Sequence, residues 1–329
     1  MNTVYIFKNG LLKRKDNTLV LETLEQGKKY IPIENISEIK IFSEIDLNKR
    51  LLEFLSSNNI PVHFFNRYGH FSGSFIPNQR NSNGCAIIKQ AEYYLKPEKR
   101  LFIAKQFVSG AAKNMKQYLA YYKKRGCETA AEVEGIAYLT ENIQRQENIQ
   151  KVMSVEAHIR KIYYSALDKI VKYDEFKLLK RERQPPTNYM NTMISYGNSM
   201  MYSTTLTEIL KTSMDPRIGY LHASNFRRYS LNLDIAEIFK PIIVDRTIIS
   251  LVNRNQIKPG DFKGVQGGIH LNDSGKKKFI KEYENHLNTT IQHKKLKRKV
   301  SYKRLIRLEV YKLLKHIVED ADYIPYEMS

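Results

Sequence analysis

The sequence predicts an α+β protein: a small N-terminal β-strand domain with one helix, followed by a larger all-α C-terminal domain. Two observations carry that reading. Apolar and polar residues alternate at period two through residues 1–85, whereas from about Lys89 the apolar residues recur at helical spacing. With 329 residues and 42% hydrophobic content, the chain is long enough for two domains that each bury a core. The expected boundaries are 1–85 for the β-rich domain, 86–92 for a linker and 93–329 for the helical domain with its basic C-terminal segment.

Within the first part, TVYIF, TLVLE, KYIPI, EIKIF, PVHFF and HFSGSF read as strands separated by Asn-Gly, Asp-Asn and Gly-Lys turn signals. The segment DLNKRLLEFLSSNN places Leu47, Leu51, Leu52, Phe54 and Leu55 at helical spacing, with Asp46 or Asn48 available as N-cap. In the second part, residues such as Ile103, Ala104, Phe107, Val108, Ala111 and Met115 form an apolar stripe beyond a break at Pro97. Further helices are expected over roughly 128–172, 189–213, 233–254, 273–290 and 300–318. Pro185-Pro186 and Asp215-Pro216 interrupt the series, and Pro241 kinks or restarts a helix.

Charge narrows the function. Lys and Arg number 54 against 34 Asp and Glu, a net charge of +20, of which +11 falls in residues 258–315 and only +4 in residues 1–90. Such an excess points to a polyanionic partner. Cys85 and Cys127 are too far apart in sequence for a disulfide framework or a cysteine zinc site, which fits a reducing compartment. The N-terminus reaches charge by Lys8 and no run approaches the ~18 apolar residues of a membrane span, so a soluble, cytoplasmic protein with no membrane partner is expected. Phosphate-cradling glycine loops and the H-E-x-x-H zinc motif are absent from the sequence.

A basic protein without these motifs can still be a metal-dependent nuclease, which needs carboxylates, and sometimes a histidine, to hold Mg²⁺ or Mn²⁺ against a phosphate. Three places put such groups in apolar surroundings. Glu156 shares a helical face with Val152, Ile159 and Tyr163; His222 ends DPRIGYLH; Asp234 and Glu237 stand at i and i+3 in SLNLDIAEIFKP. Each has an ordinary structural alternative. Glu156 has Arg160 at i+4 as an ion-pair partner, Asp234 suits the first turn of a helix, and His222 suits a hydrogen-bonded structural role. His270, His286, His293 and His316 show no ligand spacing and read as surface residues of a basic tail. Spacing alone does not decide between these readings.

The segments YIFKNGLLKRKDNTL, KKYIPIENISEI, FFNRYGHFSGSF, IKQAEYYL, RQPPTNYMNTMISYGNSMMYS, DPRIGYLH, RRYSLNLDIAEIFKPIIVDRTIISLVNR and HKKLKRKVSYKRLIRLEVYKLLKH follow one another along nearly the whole chain. In them the sequence resembles the CRISPR-associated spacer-acquisition integrase, the universal adaptation endonuclease of CRISPR systems, in its subtype I-B branch. The resemblance implies a β-rich domain that builds a homodimer and a helical domain with one divalent-metal site. It assigns Glu156, His222 and Glu237 as catalytic metal ligands for Mg²⁺ or Mn²⁺, with Asp234 as a supporting acid. It further implies integration of protospacer DNA at repeat boundaries by attack of a 3′-hydroxyl, in a complex with the small ferredoxin-like second adaptation protein.

For DNA contact the candidates are Asn191 and Tyr196, which match family positions near the active site; Arg227 and Arg228, just after His222; and Lys294, Lys295, Lys297, Arg298 and Lys299 in the basic run. A helix-capping Asn, a packed Tyr and a solvated basic tail are the structural alternatives. Two other functions remain open at this level, a non-catalytic nucleic-acid-binding scaffold and a branched-DNA repair nuclease.

Overall fold

A computed structural model of the chain describes residues 2–24, 27–78, 83–182, 185–222, 229–265, 267–293, 295–318 and 321–328. Two compact units divide it, Met1–Asn81 and Ser82–Ser329.

The first unit contains β1 (Asn2–Ile6), β2 (Gly10–Lys15), β3 (Thr18–Thr23), β4 (Gly27–Pro32), β5 (Ile36–Ile41), β6 (Ile45–Leu47), α1 (Lys49–Ser57), β7 (Val62–Phe65) and β8 (Phe71–Phe75). One sheet has the order β1-β5-β7-β8, with the first two pairings parallel; the other runs β4-β3-β2-β6. Strand β2 is hidden in sequence by the basic run Lys13-Arg14-Lys15, yet its Leu12 is fully buried. It turns into β3 through Asp16, whose φ of 53° suits a two-residue hairpin loop closed by Lys15 opposite Thr18. Leu12, Leu19, Ile39, Leu51, Leu55 and Val62 form the centre of the core; each such side chain contributes about 1.5–3 kcal/mol by leaving water. Asn48 is the cap of α1, accepting from Leu51 N at 3.0 Å, while Asp46 lies in β6.

The second unit is built from α2 (Gly84–Leu95), α3 (Pro97–Lys123), α4 (Ala130–Ile143), α5 (Ile149–Ile170), α6 (Tyr189–Ile209), α7 (Leu231–Lys240), α8 (Arg246–Asn253), α9 (Asp273–Asn288) and α10 (Tyr302–Ile317). Residues 86–92, expected as a linker, are interior to α2. Asn83 caps that helix, and Gln90 is buried with its amide paired to the backbone of Asp215 in both directions, at 2.9 and 2.8 Å. The unit is helical but not purely so. Two antiparallel hairpins, β9 (Phe262–Val265) with β10 (Gly268–Leu271) and β11 (Thr290–His293) with β12 (Arg298–Ser301), interrupt the helices.

Helix α6 is buried over nearly its whole length, so its sequence carries no amphipathic signature. Helix α7 packs on α3, where Asn114 Nδ2 donates to Ile238 O at 3.0 Å. Between α7 and α8 the backbone does not break at Pro241; it passes through one π-helical stretch, Pro241–Asp245. The chain ends as a strap across α3: Met328 N donates to Asn114 Oδ1 at 2.7 Å, and a Cβ added to Gly110 would stand 2.6 Å from Pro325. His270 is buried in β10 and His316 packs its ring against Tyr93 and Phe102, so neither is a surface residue of a tail.

Candidate active site: two glutamates around one cation, with an anchored histidine

Glu156 occupies the middle of α5 and Glu237 the middle of α7. The guanidinium of Arg160, one turn after Glu156, contacts both carboxylates: Nε reaches Glu156 Oε1 and Nη2 reaches Glu237 Oε2. The i+4 ion pair expected as a structural alternative therefore exists, but it extends to a second acid on another helix. Lys240 supplies a further cation, with Nζ 2.6 Å from Glu237 Oε1 and 2.7 Å from the Tyr202 hydroxyl. Glu237 is buried and Glu156 half-buried, and a carboxylate removed from water in this way is costly unless it is paired. Burial pushes the Glu156 carboxyl up, but Arg160, helped by Lys240 and His222, holds it below the ordinary glutamate range.

His222 stands in a segment of turns and bends that is fastened to the start of α7. Asp234, fully buried in the first turns of α7, is the post on which that segment hangs. Its Oδ2 accepts from Tyr220 N at 2.6 Å and Leu221 N at 3.1 Å; its Oδ1 accepts from His222 N at 3.0 Å and pairs with His222 Nδ1 at 2.7 Å. Both carboxylate oxygens are thereby engaged. A carboxylate facing Nδ1 keeps the proton on that nitrogen, so the ring presents Nε2 as its lone-pair donor. The close approach requires a residue without a side chain at Gly219, where a Cβ would meet Asp234 Oδ2 at 2.8 Å and Ser230 Cβ at 2.9 Å.

Of the sequence candidates, Glu156 and Glu237 share one cationic partner, and Asp234 stands behind His222. Among the described residues no three His, Cys, Asp or Glu side chains are gathered tightly enough to hold an ion as they stand. Arg160 lies between the two glutamates instead. Sequence reasoning missed the double role of Arg160 and the participation of Lys240 and Tyr202. Their signal was faint, an i+4 and an i+3 spacing that occur on any charged helix.

The DNA-contact candidates separate sharply. Asn191 is fully buried; its amide accepts from Arg181 Nη1 and Glu182 N, both at 2.9 Å, and donates to Lys180 O at 2.8 Å, so it fastens the segment before α6 and is not available to DNA. The cap of α6 is Asn188. Tyr196 is buried edge-on against Phe279, which makes it a packed core tyrosine. Lys295, Lys297, Arg298 and Lys299 are exposed on the β11–β12 hairpin, whose turn places Lys297 at φ 52°. Arg227, Arg228 and Lys294 lie outside the described residues.

Comparison with known proteins extends these observations to the whole chain. The family model described as CRISPR associated protein Cas1 matches residues 4–285. The CRISPR-associated endonuclease Cas1 2 of Thermodesulfovibrio yellowstonii is 50% identical over 324 residues, covering 98% of each chain. The CRISPR-associated endonuclease Cas1 of Thermotoga maritima is 48% identical over 318 residues, covering 97% of each. A solved Cas1 structure from Thermotoga maritima has a TM-score of 0.90 and 46% identity, covering 99% of this chain and 100% of that one. A casposase bound to integration product also reaches a TM-score of 0.90, at 21% identity, over 100% of this chain and 95% of its own, and so has the same fold. A match through both units at nearly half identity leaves one conclusion: the chain belongs to the Cas1 family of CRISPR-associated endonucleases.

Proposed function

We propose that this Cas1 protein is a divalent-metal-dependent DNA endonuclease and integrase of CRISPR adaptation, with Glu156, His222 and Glu237 as the metal-holding residues and Asp234 as the residue that positions His222. The observation that carries the assignment is the convergence of two carboxylates from separate helices on one cation, here the Arg160 guanidinium. The donor set suits Mg²⁺ or Mn²⁺, since two carboxylates and one imidazole leave coordination positions open. A bound divalent ion would supply Lewis acidity and a template for the phosphate under attack.

The chain's own residues account for the remainder. Asp234 fixes the ring orientation of His222, so that Nε2 is presented without a search through rotamers or tautomers. Arg160 pairs with both glutamates and Lys240 with Glu237 in the absence of a ligand. Once displaced from the carboxylates, Arg160 is a bidentate donor of the geometry that phosphate oxygens accept. A 3′-hydroxyl or a water supplies the attacking oxygen, so no nucleophilic side chain is required. The exposed cations of the β11–β12 hairpin are suited to the DNA backbone, which positions the duplex without reading its sequence.

The casposase bound to integration product and the complexes of Cas6-RT-Cas1 with Cas2 support the extension to DNA integration and to a small second adaptation protein. A homodimer built through the β-rich unit completes the proposed assembly. The test is incubation of purified protein with a branched half-site DNA and Mn²⁺ or Mg²⁺, alongside Glu156→Ala. Strand cutting or joining that disappears in the variant supports the site; turnover that persists refutes it, and no turnover with either metal favours a DNA-binding scaffold. A repeat-containing plasmid with the second adaptation protein separates integration at repeat boundaries from general branched-DNA cleavage.

A further inference from the structure

Away from the glutamates, the last turns of α3, the first residue of α8, the first residue of α10 and the C-terminal strap border an open cavity of about 270 Å³, lined in part by Tyr121, Lys124, Arg246, Tyr302, Tyr326 and Met328. None of the metal-holding candidates lines it. Its cations are Arg246 and Lys124. Arg246 is half-buried, and its hydrogen bond is to the thioether Sδ of Met328 at 3.7 Å, a weak acceptor. Among the described residues neither Arg246 nor Lys124 meets a carboxylate, whereas Arg307 pairs with Glu208, Arg217 with Asp215 and Arg160 with two glutamates.

The walls are built and held in place. The Tyr326 ring stacks on Phe239 with centroids 5.6 Å apart and an interplanar angle of 11°, and meets Tyr302 edge-on. The strap that carries it is tied at both backbone groups, Tyr326 N to Glu309 Oε1 at 3.1 Å and Tyr326 O to Asn114 Nδ2 at 3.0 Å. Tyr121 at the rim is exposed and carries the Arg125 guanidinium over its ring. Guanidinium and ammonium groups beside aromatic faces, in a recess sized for one small planar group and its anion, match a nucleotide: phosphate on Arg246 and Lys124, base against Tyr121 and Tyr326. The basic β11–β12 hairpin rises from the same place, since Ile291 of β11 also lines the cavity. That continuity favours one nucleotide of a longer strand over a free mononucleotide.

We propose that this cavity is a second nucleic-acid site, holding a single unpaired nucleotide of a strand whose backbone runs along the hairpin. The experiment uses the full chain and a fluorescent oligothymidylate carrying one 5-bromodeoxyuridine. Anisotropy is read for wild type, Arg246→Met, Lys124→Gln and the double variant, and the photo-crosslinked peptide is mapped. The expected result is a crosslink at Tyr121 or Tyr326 and single-strand binding weakened roughly tenfold in the double variant, a loss of about 1.4 kcal/mol. Blunt-duplex affinity stays unchanged. Lys124 is exposed at a helix end, so Lys124→Gln gives a readout even if Arg246→Met fails to fold. Wild-type single-strand affinity in Lys124→Gln and in any folded Arg246→Met, or crosslinks confined to other segments, overturns the proposal; so does saturation by thymidine monophosphate with no binding of the oligonucleotide. Glu156→Ala leaves the crosslink intact, which separates this site from the catalytic assignment.

Discussion

His222 is held twice by Asp234: the same carboxylate oxygen accepts its backbone N–H at 3.0 Å and faces its ring Nδ1 at 2.7 Å. The second carboxylate oxygen takes the two preceding backbone amides. One side chain therefore sets the path of the segment and the tautomer of the ring together. Replacing it with Asn puts an amide NH₂ against N–H donors and leaves at least one buried group unsatisfied. Asp234→Asn is expected to lower stability by about 1–3 kcal/mol and activity by roughly 10–100-fold. Denaturant melts and cleavage rates measured on the same preparation check both; normal activity in the variant would contradict the positioning role.

Arg160 makes a separate prediction. Its removal leaves Glu156 and Glu237 facing each other with Lys240 as the remaining cation beside them. Arg160→Met is expected to cost about 3–5 kcal/mol in the metal-free protein. Added Mn²⁺ should then raise its melting temperature more than it raises that of wild type, because the ion no longer has a guanidinium to displace. Thermal shift against Mn²⁺ concentration, with chelator as the metal-free reference, reads this directly. An equal shift in the two proteins would show that Arg160 and metal do not share the carboxylates.

Asp245, in the π-helical stretch, accepts from the Tyr163 hydroxyl at 2.9 Å, and burial pushes its carboxyl up to about 6. The folded state therefore holds this proton more tightly than the unfolded chain. Its contribution favours folding below the unfolded value near 4 and is lost as pH rises from about 4 to about 6. Asn at this position keeps an acceptor for Tyr163 without the charge. Asp245→Asn is expected to be more stable than wild type at pH 7 by about 1–3 kcal/mol, with the difference vanishing towards pH 4. Melting curves over that range decide it; a constant difference would assign the effect to packing.

Neutralising Lys295, Lys297, Arg298 and Lys299 to Gln removes the exposed cations of the β11–β12 hairpin. Duplex affinity should fall, and the slope of log K against log salt should become shallower by up to about 3–4, nearly one unit for each phosphate that is no longer neutralised. Anisotropy over a salt series measures the slope, and an unchanged value would mean that these residues only solvate the hairpin.

Much of this architecture is legible in sequence, and what is not has identifiable causes. The core strands and most helices follow from period alone, as with Ile103 to Met115 in α3. Strand β2 does not, because Lys13 to Lys15 mask a single buried Leu12. The 86–92 segment reads as a linker because the value of Gln90 lies in two hydrogen bonds to a backbone 125 residues away. The residues of the site are individually ordinary in sequence, and composition favours structural readings for Glu156 and His222. Their assignment rests on order along the chain and on the tertiary pairing through Arg160. Asn191 and Tyr196 show the converse, since matching a family position near the site does not separate contact with a ligand from support of the scaffold.

The π-helical stretch between α7 and α8 has a rotational consequence. A wide turn holds one more residue than an α-turn does, so α8 begins about 100° out of phase with a straight continuation of α7. That offset lets one nearly continuous rod serve two addresses, with Glu237 and Lys240 directed at the glutamate site and Arg246 at the tyrosine-lined cavity. Deleting a single residue from Pro241–Asp245 would restore regular winding and swing Arg246 away by the same angle, uncoupling the two addresses without altering any residue in either.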